Sequence, residues 1–175
     1  MKTVALERYL NSFGSQIVRQ AKSNLVSADK GGTLEKSISF FVIASGNSVT
    51  VRFKMASYGK YVDKGVSGNK VRRSFKNYEG KTLTSPFKYT TKQPPSRVLD
   101  KWIVRRGIAP RDERGRFLSR KSISFLIARS IKSKGIQGIS FFQKPLMLGL
   151  QDFGSKMGKA LKEDILNSLR EQKLA

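Results

Sequence analysis

Apolar residues recur every three or four positions at both ends of this chain. Near the start they are Leu6, Leu10, Phe13, Ile17, Ala21 and Leu25; near the close they are Leu146, Leu150, Phe153, Met157, Leu161, Ile165 and Leu169. Steps of three and four place side chains on one face of a 3.6-residue helix, so each stripe predicts a long amphipathic helix with one side to bury. The first is expected over residues 3–26, with Arg8, Asn11, Ser15, Arg19 and Lys22 on its polar side. It should stop at Ala28-Asp29-Lys30-Gly31-Gly32, where paired glycines supply the backbone freedom that ends helices. The last should open at Pro145, a residue that a first helical turn tolerates, and continue unbroken through Leu169. A lone helix of that length is marginal in water, so its stripe must pack on the first helix, a sheet or a neighbouring subunit.

Between the helices lies a β-prone run, Ile38 to Ala44. Past a turn at Ser45-Gly46-Asn47, Val49, Val51, Phe53 and Met55 alternate with Thr50, Arg52 and Lys54. Period-two alternation puts the apolar set on one face, which predicts a β-hairpin laid over the first helix. The fold expected is therefore α+β: N-terminal and C-terminal amphipathic helices packed on a small antiparallel sheet.

Charge divides the chain unevenly. The formal net charge is +23, from 35 Lys and Arg against 12 Asp and Glu, and residues 70–134 hold 19 of those cations against 4 acids. This exceeds what solubility requires and implies a polyanionic or acidic partner, although Coulomb attraction does not say which. We expect one domain, 1–175, with a basic insert over 66–137. Residues 66–92, with Gly65, Gly68, Gly80 and Pro86 in or beside them, read as mostly irregular. Short helices are expected at about 95–106, with Val98, Leu99, Trp102 and Ile103 on one face, and at about 121–134, with Ile123, Leu126, Ile127 and Ile131. A charged turn, Asp112-Glu113-Arg114-Gly115, separates them.

The chain has no Cys and no His. Disulfides, thiolate metal sites, His-dependent triads and His-ligated zinc motifs are thereby excluded. The acidic pairs have ordinary readings, Asp112-Glu113 as a solvated turn and Glu163-Asp164 as surface partners of Lys159 and Lys162. No catalytic, cofactor or metal site is expected. Phe75, Tyr78, Phe87, Tyr89, Trp102 and Phe117 are interleaved with cations, a pattern in which aromatics can stack on unpaired bases, while Trp102 itself reads as core; a phosphate-contacting surface is expected and the reading of base sequence is not. The candidate contacts are Lys70, Arg72, Arg73, Lys76, Arg105, Arg106, Arg111, Arg114, Arg116, Arg120 and Lys121. Met1 to Arg8 lack a signal-peptide core and no run of about 18 apolar residues occurs, so a soluble cytoplasmic product with no membrane partner is expected.

Three short elements in fixed order carry a resemblance. They are Gly32, Leu34, Ser37 and Ile38; then Tyr58, Tyr61, Val62, Asp63 and Gly65; then Phe141, Phe142 and Pro145 at the start of the closing helix. Taken as a set over residues 1–65 and 138–172, they resemble the minor tail-completion and head-to-tail joining proteins of tailed bacteriophages. The 66–137 insert is longer than that family's usual loop. The resemblance implies a structural virion protein of the neck or upper tail, in a ring of twelve copies, or six, around the DNA channel. Its partners would be other neck, portal and tail proteins, with channel DNA as a further contact through phosphates. Two other classes stay open: a free non-specific nucleic-acid-binding protein, and a nuclease-like enzyme whose metal ligands would have to be Asp63, Asp112 and Glu113.

Overall fold

The computed structural model describes residues 3–45 and 48–173, the side chain of residue 173 excepted. The expected turn residues Gly46 and Asn47 lie outside that set. In chain order the described residues form α1 (Val4–Ser27), α2 (Thr33–Ser37), β1 (Ser39–Ser45), β2 (Ser48–Lys54), α3 (Gly59–Lys64), β3 (Val66–Ser67), β4 (Ser74–Lys76), β5 (Thr82–Thr84), α4 (Arg97–Arg105), α5 (Arg120–Lys134), β6 (Gly135–Ile136), α6 (Gln143–Leu150) and α7 (Phe153–Lys173). Three two-stranded sheets, β1-β2, β3-β6 and β4-β5, accompany the helices, and the fold is α+β.

Contacts divide the chain into two compact units. The terminal unit comprises Met1–Asp63, Lys76–Lys81 and Ser140–Ala175; the basic unit comprises Lys64–Phe75 and Thr82–Ile139. The division arises because the basic stretch has apolar residues enough for a core of its own.

In the terminal unit α1 is the central element. Ile17, Ala21 and Leu25 have no exposed surface, and each large side chain so buried contributes about 1.5–3 kcal/mol. The antiparallel ribbon β1-β2, in register Phe40↔Phe53, Val42↔Val51 and Ala44↔Val49, packs on this helix. Its close approach depends on Gly14, because a Cβ there would run into the Phe40 ring.

The closing helix is two helices rather than one. The ladder lapses at Gln151 and Asp152, and α7 restarts with the Lys156 N–H donating to the Asp152 carbonyl at 3.0 Å. Gln151 keeps helical angles, φ −55° and ψ −45°, so the stripe passes from Leu150 to Phe153 with its phase intact. Phe153 then meets Phe13 edge-on, ring centroids 4.8 Å apart, tying α7 to α1.

Asp164 departs from its surface reading. It is 3% exposed, and its two carboxylate oxygens accept from the Ala5 and Leu6 amides at 2.8 and 2.9 Å. A carboxylate from α7 thus caps the N-terminus of α1, where orphan N–H groups and the helix dipole favour negative charge. Spacing places Asp164 on the same helical face as Met157 and Leu161, which does not reveal the amides it caps.

The basic unit packs α4 against α5. Its core includes Phe75, Ile103, Ile123 and Ala128. Short strands β3 and β6 pair antiparallel, Val66↔Ile136 and Ser67↔Gly135. Buried hydroxyls hold the loops between them: Ser85 Oγ donates to the Gly65 carbonyl at 2.7 Å, and Ser67 Oγ accepts from the Arg73 amide at 3.0 Å. Residues 66–92 therefore contain three short strands within otherwise irregular chain. Two expected faces are buried only in part. On α4 only Ile103 is buried, while Trp102 is 36% exposed and Val98 is exposed. On α5 Ile123, Ser124 and Ala128 are buried and Ile127 and Ile131 half-buried, while Leu126 is 56% exposed. Small side chains on the inner face admit close helix approach, which turns Phe125 and Leu126 outward.

Candidate functional site

The three elements singled out in the sequence supply interlocking parts of the terminal unit. Gly32, at φ 92°, precedes α2, whose Leu34 is buried. Ser37 Oγ accepts from the Ala56 amide at 3.0 Å and donates to the Leu34 carbonyl at 2.7 Å, which fixes the chain entering α3 to the chain leaving α2. Ile38 is 2% exposed. Leu34 closes on Gly59 so tightly that a Cβ there would sit 3.1 Å from its Cδ1.

The second and third elements meet at Asp63. This carboxylate is buried, and its Oδ1 accepts from the Phe142 amide at 2.9 Å and the Gln143 amide at 3.4 Å, the N-terminus of α6. The Asp63 carbonyl accepts from the Ser140 amide at 2.9 Å. Phe141 and Pro145 are fully buried, and the Phe142 ring packs edge-on against Phe53 of the ribbon at 5.2 Å. Val62 is half-buried, whereas Tyr58 and Tyr61 are exposed. Gly65, in the basic unit, has φ 73° and backs onto the Gly138 amide and the Ile136 carbonyl, leaving no room for a side chain.

Of the cationic candidates, all but Lys76 fall in the basic unit, which holds 18 Lys and Arg against 3 acids. Lys70, Arg72, Arg105, Arg106, Arg111, Arg114, Arg116, Arg120 and Lys121 are exposed there. Arg73 is half-buried, its Nε donating to the Lys134 carbonyl at 2.8 Å, and Arg120 lies 3.8 Å from Asp100. Lys76 is exposed in the terminal unit.

The charged turn is a built finger. Arg111 bridges Phe117 antiparallel, the Asp112 amide donates to the Arg116 carbonyl at 2.8 Å, and Gly115 takes φ 76° at the tip. Asp112 Oδ1 accepts from the Arg114 and Arg116 amides at 3.0 and 2.8 Å, and Oδ2 pairs with Arg116 Nε at 3.2 Å. Arg111 donates from Nη1 to the Gly115 carbonyl at 2.8 Å and lays its guanidinium 3.9 Å from the centre of the Phe117 ring. Sequence reasoning placed a turn here but had no means of seeing the stack.

An apolar groove of about 970 Å³ runs through the terminal unit, with Leu6, Leu10, Val51, Phe53, Leu146 and Met157 among its walls. The stripe of α7 runs from Leu161, which also lines the groove, on to Ile165 and Leu169, all three exposed. Among the described residues no group of three or more Asp or Glu is placed to hold a metal ion, and no buried side-chain polar atom lacks a hydrogen-bond partner. Asp63 and Asp112 serve as a helix cap and a finger brace. Among the described residues no helix is long and apolar enough to cross a membrane.

No family model, curated protein or solved structure matches the chain.

Proposed function

We propose that this chain is a structural virion protein of a tailed bacteriophage, a subunit of a neck or upper-tail ring that joins the portal side of the head to the tail around the DNA channel. The observation that carries this reading is the Asp63 cap. It joins the Tyr58–Gly65 element to the Phe141–Pro145 element, while Leu34 against Gly59 joins the first element to the second. Segments 79 residues apart in sequence thus serve one scaffold.

A second support is the exposed apolar stripe of α7. Closed rings use heterologous contacts between neighbouring copies, and such a stripe is the kind of surface they cover. The basic unit then meets the channel DNA or acidic faces of adjoining rings, offsetting a self-repulsion that would otherwise mount as copies of a +23 chain assemble. Function on this reading is geometric and needs no catalytic group.

Mass spectrometry of purified particles, followed by placing the chain in a particle map, tests the proposal. The expected result is a ring of twelve copies, or six, between portal and tail. Absence from the particles would end it. The imbalance of charge in the basic unit favours one competitor, a free nucleic-acid-binding protein, which predicts micromolar or tighter duplex binding by a monomer and no place in particles.

A further inference from the structure

We propose that the finger at Pro110–Leu118 is a contact for the phosphate backbone of duplex DNA, made by the guanidinium groups of Arg114 and Arg116. The inference deepens the function proposed above by naming one partner and the element that meets it, and its test does not depend on ring formation.

The basic unit is about 70 residues long and carries 18 cations against 3 acids. Two of those acids, Asp100 and Asp112, already face Arg120 and Arg116. A unit of that length is roughly 28 Å across from the usual size scaling. Duplex DNA presents one negative charge per about 1.7 Å of axis, so a length comparable to the unit offers on the order of fifteen phosphates. That matches the surplus. A folded protein partner would have to gather as many carboxylates on one face, against their mutual repulsion.

The finger is built to present arginine. Asp112 uses both oxygens to hold the turn, so the backbone amides of Arg114 and Arg116 point inward and their side chains leave an ordered base. Arg116 retains 71% of its side-chain exposure although its Nε is paired, which leaves the outer fork of the guanidinium for a phosphate. Little conformational entropy then remains to be lost on contact, the advantage of a preorganised site. Phe117, at 64% exposure, carries the Arg111 guanidinium on one face of its ring, which fixes the base of the finger.

The experiment measures binding of the full chain to a non-specific duplex as a function of salt. The double variant Arg114→Gln/Arg116→Gln is compared with Lys159→Gln/Lys162→Gln, which removes the same charge from exposed positions of α7. The finger variant should lose about tenfold in affinity near 0.15 M salt, and its log–log salt slope should shrink by about 2, one contact each at ~0.9 per phosphate. The α7 variant should keep its slope, and circular dichroism should show both variants folded as the parent. Equal losses from the two variants would mean bulk charge alone acts and would overturn the proposal. So would tighter binding to single strands than to duplex, or polyglutamate competing as well as duplex at equal charge, which would point to an acidic protein face.

Discussion

The Asp63 carboxylate accepts the Phe142 amide at 2.9 Å across 79 residues of sequence, so the end of α3 caps the start of α6. Its neighbour in function, Asp164, caps α1 from α7. In both cases a helix that lacks a capping side chain of its own borrows a buried carboxylate from a distant segment.

Removing the first of these should be costly. Asp63→Ala leaves two amides without their acceptor in a buried place, and hydrogen bonds to a charged group are worth about 1.5–3 kcal/mol. We expect a loss of about 2 kcal/mol in urea unfolding of the full chain, with Asp63→Asn losing less because one amide oxygen remains. An unchanged midpoint for the Ala variant would refute the capping role.

Asp164→Ala should loosen the opposite end of the same unit. The Ala5 and Leu6 amides should lose hydrogen-exchange protection selectively, and stability should fall by about 1–2 kcal/mol, as for loss of a good N-cap. If exchange at those amides matches the parent, the bidentate cap does not persist in solution.

Gly65→Ala is predicted to strain the basic unit. A positive φ disfavours any Cβ by about 1 kcal/mol, and here the added carbon would also press on the backbone at Ile136 and Gly138. Limited proteolysis should cut the β3–β6 region faster than in the parent. Parent-like resistance would show that the chain can relax there at little cost.

The partly buried faces of α4 and α5 give a graded test. Ile103→Ala should cost about 2–5 kcal/mol as a core truncation, whereas Leu126→Ala, at 56% exposure, should stay within about 1 kcal/mol. A loss at Leu126 as large as that at Ile103 would restore the α5 face read from spacing alone.

Local patterns were legible where they were long. Six apolar residues at helical spacing announce α1, and strict alternation from Val49 to Phe53 announces β2, because periodicity repeated over several turns or pairs outweighs single exceptions. Short helices gave less. On α4 a nine-residue run offered four apolar residues for a face that buries one, and only the neighbouring α5 decided which.

By itself the amino-acid order determined the α+β class, the two terminal helices and the ribbon, the lack of any His or Cys chemistry, and the concentration of cations in the middle of the chain. Tertiary structure alone decided that Asp63 and Asp164 are interior caps, that the closing stripe runs through two helices, and that Arg111 stacks on Phe117 within a braced finger. The reason is range. Periodicity and charge are properties of neighbours along the chain, whereas a cap borrowed across 79 or 158 residues exists only once folding has brought its donor and acceptor together.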